Sequence, residues 1–481
     1  MSGPPKATAL PELPDPDYLP KRTLSERVAH GRELRAQLPH ERQATWTLSP
    51  TRADPLAILD RQSAERIEDL VPIRYGRMAA SPFAFFRGGA AIMAADLAGT
   101  PTSGLRAQLC GDAHLLNFGM FDTPERSLVF GLNDFDETLP GPIEWDVKRL
   151  AASVEVAARD LQFGRTERHA AVLATVRSYR AAMAGFAALR NVEVWTRRLP
   201  AKTLERQMAI AADHQTQREV RKAIRKALSR DSLTAFERLI EAHDGALRFR
   251  AAPPLVVPVE ALLDQHERER YVEVMSSFLE QYRGSLPPHL RYLVESYRFA
   301  RMARKVVGVG SVGTRAWVVL LIGRDASDPL LLQLKEAKPS VLEPYAGPSV
   351  YETQGRRVVE GQRFMQTASD PLLGWYRLRA LDDQMHDFYV RQLWDGKSSI
   401  DVARLSPAGL VAYGEACGWT LARGHARSGD RIALAAFLGE DAAFDDAIAA
   451  FAATYADVNE SDHRRLVAAI ASGRVPAVSG V

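Results

Sequence analysis

The chain has 481 residues, 46% apolar and 25% charged, so it can bury a large core in roughly two or three domains. Its 62 basic residues nearly match its 59 acidic ones, a formal net charge of +3, which gives no global reason to expect nucleic acid or a membrane as partner. Two cysteines, Cys110 and Cys417, exclude a disulfide framework and form no C-x-x-C metal pattern. The opening residues MSGPPKATALPELPDPDYLPK place prolines and acids where a signal peptide needs an apolar core. No apolar run approaches the ~18 residues that span a bilayer, so a cytoplasmic protein is expected.

Residues 1–50 are rich in proline and charge and read as an N-terminal extension, partly disordered, with one short helix near Ser25–Gln37. From Asp54 to Gly99 the pattern is helical, with Leu56, Leu59, Ile67 and Leu70 as a buried stripe that Pro72 or Pro82 interrupts. Leu105–Cys110 reads as a strand and is followed by the loop GDAHLLNFG. The apolar run Ser127–Leu132 suits the second half of a hairpin, ahead of the polar cluster NDFDE. Glu144 to about Ala300 reads almost wholly as helix. Within it Arg218–Arg230 (REVRKAIRKALSR) turns Val220, Ala223, Ile224 and Leu228 inward and is expected to leave its charges solvated.

At Lys305 the texture changes. KVVGVGSVGTRAWVVLLIGRDASDPLLLQLKEA alternates apolar strands with Gly and Asp turns, as an antiparallel meander does. A helix is expected over Tyr351–Thr367, then strands at Leu372–Arg377 and Asp387–Trp394. Pro407–Arg427 is helical again, with Leu410, Tyr413, Cys417 and Leu421 on one face, and Ile432–Ser472 is Ala-rich helix. After the extension, the divisions fall at 51–304, 305–395 and 396–481.

Gly308-Val-Gly310-Ser311-Val-Gly313 is a G-x-G-x-x-G pattern, which two unrelated folds use. In a dinucleotide-binding fold it would open a helix. Here TRAWVVLLI follows, a strand sequence, so the glycines join two strands and their backbone N–H groups are free to fold over phosphates. That reading demands a lysine on the following strand, held by a glutamate of the next helix. Lys335 ends LLLQLK, 22 residues beyond Gly313, and Glu360 in RRVVEGQRFMQ is the expected partner, with Glu352 as runner-up.

Upstream, CGDAHLLN sets Asp112 five positions before Asn117. In a kinase catalytic loop, an aspartate accepts the substrate hydroxyl proton and an asparagine five residues on binds metal. Asp134 lies seventeen residues past Asn117, at the end of the expected hairpin, where a carboxylate would hold Mg²⁺ beside substrate phosphates. Glu144–Leu150 then opens a helix suited to buttress the loop. Asp112 could instead cap a turn, Asn117 could close an Asx-turn, and His114 between apolar neighbours suits a core histidine.

The segment Gly111–Leu150 resembles the catalytic and metal loops of aminoglycoside phosphotransferases and related small-molecule kinases. It departs from them at their first, loop-bracing histidine, which is Cys110 here. Over nearly its full length, through RMAASPFAFFRG, CGDAHLLNFG, NDFDE and KVVGVGSVGTR, the chain is similar to an uncharacterised bacterial family, the domain of unknown function twenty-two fifty-two. That likeness implies no established activity. The kinase likeness implies ATP and Mg²⁺ as cofactors, Asp112 as base, Asn117 and Asp134 on the metal, and Gly308, Gly310, Ser311, Gly313, Lys335 and Glu360 on the nucleotide.

Asp112 precedes Gly308 by almost 200 residues, the reverse of the usual kinase order. The expected fold is therefore α+β, a two-lobed protein-kinase-like architecture, circularly permuted, with a large helical lobe and a small antiparallel β lobe at 305–395. The expected function is phosphoryl transfer to a hydroxyl of an acceptor, small molecule or protein, that the sequence does not reveal. A nucleotide-binding regulator or an AMP-transferring enzyme uses the same fold. A hydrolase with Asp112, His114, Asp134 and Asp136 as a metal cluster would leave the glycine loop and Lys335 idle. A scaffold built on helices 150–300 would leave all of them idle. Arg87, His425 and Arg427 fall outside this set, as charged residues read at helix ends.

Overall fold

The leucine run Pro329–Glu336 is buried at every position, so it is the centre of a sheet covered on both faces. In the computed structural model, which describes residues 22–480 apart from 244–245, 307, 309, 311, 381–382 and 394–395, helices predominate and several antiparallel sheets are set among them. Four short strands come first: β1 (Arg106–Leu109), β2 (Phe118–Asp122), β3 (Leu128–Leu132) and β4 (Leu139–Pro142). β2 pairs with β3 and β1 with β4. The main sheet follows, from β5 (Val256–Pro258), β6 (Arg298–Lys305), β7 (Ala316–Ile322), β8 (Pro329–Glu336), β9 (Gly374–Arg379) and β10 (Met385–Gln392). Its spatial order is β9-β10-β8-β7-β6-β5, and neighbours are antiparallel.

Side-chain alternation sorts the central strand. Leu330, Leu332 and Leu334 pack into a cluster with Phe278, Tyr282, Tyr376 and Phe388, each leucine contributing about 1.5–3 kcal/mol of apolar burial. The opposite face carries Leu331, Gln333 and Lys335. On β10 the same alternation turns Phe388 and Val390 into that cluster and leaves Asp387, Tyr389 and Arg391 beside Lys335, whose register partner is Tyr389.

The helical body is built around α1 (Ile143–Asp160), α2 (Arg165–Ala187) and, from the far end of the chain, the helices Pro407–Ser428 and Ala443–Ala471. The expected face Leu410, Tyr413, Cys417 and Leu421 is wholly buried. Close approach of Pro407–Ser428 to α2 depends on Gly418, where an added Cβ would stand 2.2 Å from the carbonyl oxygen of Thr175. Four N-terminal helices, Pro55–Ala64, Val71–Ala79, Pro82–Gly88 and Ala90–Leu97, share a cluster with Leu466, Ala469 and Val475, and Arg52 ties Asp96 to Asp462 at 2.7 Å each.

The sheet does not begin at Lys305. Arg298–Lys305 is already a strand, and the stretch expected to be helical up to Ala300 also holds the hairpin Ile240–His243/Ala246–Phe249 and β5. Met302 and Ala303, adjacent on this strand, are buried in two different clusters, and with Arg298, Arg301 and Arg304 beside them no apolar alternation is left to read. Ile432–Ser472 is two helices, Arg431–Leu438 and Ala443–Ala471, separated at Gly439, which has φ 69° and ends the first in the left-handed conformation glycine tolerates. Within the N-terminal extension, the helix Leu24–Gln37 has a Thr23–Glu26 capping box and lies against Ala433 through Gly31. The rest of that expectation, residues 1–21, lies outside the described residues.

Candidate functional site

Between β1 and β2 the chain makes the tight loop Cys110–Asn117. Gly111 has φ 81°, and a Cβ there would stand 2.2 Å from the carbonyl oxygen of Glu137, so this position requires glycine. The loop is clamped from α1. Asp146 accepts the N–H groups of Cys110 at 2.8 Å and Gly111 at 3.1 Å. One turn on, Arg149 donates to Asp112 Oδ1 from Nη2 at 2.7 Å and Nε at 2.9 Å. Arg149 also donates to the Phe86 carbonyl at 2.8 Å and rests 4.1 Å from the Phe86 ring centre. His425 stands 3.3 Å from Asp146 Oδ2 and, through its other nitrogen, 2.9 Å from the Tyr179 hydroxyl. An imidazole therefore braces this loop through Asp146, although residue 110 is cysteine. His114 lies on the same loop, and burial takes its pKa down to about 4.

The two polar loops are joined by Asn117. Its amide nitrogen donates to the carbonyls of Asp112 and Asp134, both at 3.0 Å, and its Oδ1 accepts from Asp134 N at 2.6 Å and Asn133 N at 3.3 Å. All its hydrogen-bonding capacity is spent on backbone. The expected metal ligand is thus a bracket that fixes Asp134, with no lone pair left for an ion in this arrangement.

Lys335 meets the far side of that loop. Its ammonium is 3.6 Å from Asp134 Oδ2 and bonds directly to Asp136 Oδ2, while the Tyr389 hydroxyl donates to Asp136 Oδ1 at 2.8 Å. Burial alone would push the lysine pKa down, but the two carboxylates outweigh it and hold the ammonium above its ordinary value. Burial likewise opposes ionisation of Asp134, and Lys335 and Arg391 reverse that. Asp134 Oδ1 is buried without a hydrogen-bond partner, while the side chain as a whole is 44% exposed, so the carboxylate faces the cavity through Oδ2. That matches the habit of Mg²⁺, which takes one or two carboxylates and keeps its remaining positions for phosphate and water. Among the described residues no group of three or more His, Cys, Asp or Glu side chains is disposed to hold a metal. The four-residue hydrolase cluster is accordingly not assembled, since Asp112 is held by Arg149 and Asp136 by Lys335 and Tyr389.

Glu360 does not reach Lys335. It pairs with Arg363 at 3.2 Å, and the carboxylates at Lys335 come from the loop at 134–136. The helix Gln354–Met365 sends Arg357 toward that loop instead, donating to the carbonyls of Thr138 at 2.7 Å, Asp136 at 2.8 Å and Lys338 at 2.7 Å. Glu352, the runner-up, contributes its carbonyl to Arg377 at 3.0 Å.

A cavity of about 1010 Å³ spans these groups, lined by Asp112, His114, Asn117, Asp134, Asp136, Gly308 and Gly310 among others. Gly308 has φ 67° and Gly313 φ 88°; Ser311 lies outside the described residues. The glycine loop is tied down from the N-terminal helices. Ile67 N donates to Gly313 O at 2.8 Å, Arg66 to the Val312 carbonyl and Arg77 to the Gly308 carbonyl. Sequence reasoning missed Asp146, Arg149, Arg357, Tyr389 and the pinning arginines. The i, i+3 spacing of Asp146 and Arg149 on one helix face was the one signal that could have drawn attention to the first pair.

A family model described as an uncharacterized protein conserved in bacteria, DUF2252, matches residues 66–469. The chain belongs to the DUF2252 family. Neither a curated protein nor a solved structure matches it. The matched span of this DUF2252 chain includes each residue of the cavity wall named above. Among its described residues no helix is long and apolar enough to cross a membrane.

Proposed function

We propose that this DUF2252 protein is an ATP- and Mg²⁺-dependent phosphotransferase with a circularly permuted, two-lobed, kinase-like fold. The observation that carries the reading is the meeting of Lys335 with Asp134 at 3.6 Å, behind the wall of a cavity lined by Asp134, Asp112, Gly308 and Gly310. The order of elements supports it. A glycine loop joins β6 to β7, the lysine lies on β8, a helix follows, and two more strands complete the sheet, as a loop folded over phosphates requires.

The chain's part is positioning and charge neutralisation. Asp134 is the carboxylate that would hold the ion, and the ion, when bound, would neutralise phosphate charge. Asn117 fixes Asp134, and Lys335 orients the phosphates under Gly308–Gly313. Arg149 occupies Asp112 Oδ1, so Oδ2 is the oxygen left to take the proton of an acceptor hydroxyl. The acceptor oxygen then bonds to the γ-phosphorus as the bond to the bridging oxygen breaks, and the nucleoside diphosphate leaves with that electron pair.

Asp134→Ala removes the ion's carboxylate while keeping Lys335 paired to Asp136. ATP turnover should vanish while the far-UV spectrum stays unchanged; retained turnover would sink the assignment. Intact-mass measurement of the modified acceptor separates transfer of phosphate from transfer of AMP.

A further inference from the structure

The cations around the cavity are not equivalent. Lys335 is paired with Asp134 and Asp136, Lys338 with Glu65 at 3.2 Å, and Arg391 donates to Gln333 Oε1 at 3.0 Å and the Asn133 carbonyl at 3.2 Å. Arg61 and Lys226 are exposed to solvent at the rim. Arg87 differs from all of these. It ends the helix Pro82–Gly88, lines the cavity and is only partly exposed. Its Nε is buried with no hydrogen-bond partner, and no ion pair to it is formed among the described residues. A buried guanidinium N–H without a partner is costly, and an anion bound in the cavity against the same group would offset that cost.

Its position says which anion. The Phe86 carbonyl, one residue back, is held by the same Arg149 that holds Asp112. A Cβ built on Gly310 would stand 3.5 Å from the Arg87 carbonyl oxygen, so the glycine loop comes down onto this residue. Asp112 is the acidic group whose charge acts on Arg87, and Arg77 the basic one. Arg87 thus lies where the loop that would cover the phosphates meets the carboxylate that would act as base.

We propose that Arg87 is a catalytic residue that contacts the terminal phosphoryl oxygens of the nucleotide, in cis, during transfer. The inference rests on the phosphotransferase reading and extends it. As the acceptor oxygen bonds to phosphorus and the bridging bond breaks, the acceptor proton passes to Asp112 and the electron pair leaves on the diphosphate. Arg87 stays protonated throughout and offers its forked N–H groups to the oxygens on which charge gathers.

Calorimetric titration with Mg²⁺ and either the β,γ-imido analogue of ATP or ADP tests this on the full chain. Arg87→Ala should weaken the triphosphate by about tenfold or more, the usual size of a lost charge-assisted hydrogen bond, and ADP by less than about twofold. Arg87→Lys, which keeps the charge and loses the fork, should recover part of the triphosphate preference, and it carries the same comparison if the alanine variant does not fold. Equal loss for both nucleotides, or loss for neither, overturns the role of Arg87 while leaving the phosphotransferase reading in place. A folded wild type that binds neither nucleotide overturns that reading, and the role of Arg87 with it.

Discussion

Asp146 bears the most weight in the clamp that shapes the 110–117 loop, and removing it has a calculable cost. Its two oxygens take the N–H groups of Cys110 and Gly111, and Cys110, Gly111 and Asp146 are all buried, so no water replaces the lost acceptor. A buried donor left unsatisfied costs about 1–3 kcal/mol. Asp146→Ala strands these two backbone donors, for a loss of about 2–6 kcal/mol before the contact with His425 is counted, against a total stability of roughly 5–15. Asp146→Asn keeps one carbonyl oxygen and turns an amide nitrogen on the other donor, so roughly half that loss is expected. Urea unfolding followed by tryptophan fluorescence reads the midpoint, and hydrogen exchange of the peptide spanning Leu109–Ala113 reads the loop itself. An alanine variant within about 0.5 kcal/mol of wild type, with unchanged exchange at Cys110 and Gly111, would refute the clamp.

Three further outcomes are expected. Lys335→Met leaves Asp134 and Asp136 side by side without their cation. The expected loss is about 2 kcal/mol, below that of a fully buried pair because both carboxylates reach the cavity, and adding Asp136→Asn should recover part of it in a double-mutant cycle. Burial pushes the Glu137 carboxyl up to about 7 from an ordinary 4.5. The native chain then binds the extra proton, so the contribution is full below 4.5 and lost as pH rises through 7. Glu137→Gln, which keeps an acceptor for Val341 N, should gain steadily on wild type in urea midpoint from about pH 5 to about pH 8; parallel midpoints would contradict the shift. His114 is held neutral with a pKa near about 4 instead of 6.5. Its folded value is depressed, so its contribution is lost as pH falls through 6.5 toward 4. By NMR its imidazole signal should stay flat down to about pH 5, and titration near 6.5 would contradict burial of the ring.

The features legible in the sequence were those set by short separations. Asp112 and Asn117 are on one loop, Asp134 is fixed by a single hairpin, and Lys335 ends a strand whose alternation is unambiguous once it is read as a strand. Each is on the cavity or, for Lys335, in contact with its wall. Glu360 could not be fixed because adjacent Val358 and Val359 allow two helix registers; the observed one buries Arg357, Gly361, Gln362 and Met365 and leaves Glu360 to Arg363. Asn117 occupies the expected place, but its availability depends on backbone N–H groups across a turn, which spacing does not report. β6 is not legible in the sequence because it buries adjacent Met302 and Ala303 among basic residues and so has no period-two pattern to read. The pinning of the glycine loop by Arg66, Ile67 and Arg77 joins segments more than 200 residues apart, a contact that no local pattern encodes. Sequence alone does not single out Arg87, because a charged residue at a helix end is ordinarily solvated; the burial of its Nε beside the cavity is visible only in the packed chain.

The claim on which the rest depends is where the nucleotide sits. A crystal structure of the full chain grown with Mg²⁺ and the β,γ-imido analogue of ATP tests it directly. The account predicts the phosphates beneath Gly308–Gly313, with Lys335 and Asp134 on either side of them and Asp112 facing the terminal phosphorus. Phosphates bound elsewhere, or a cavity that stays empty at saturating analogue, would contradict it.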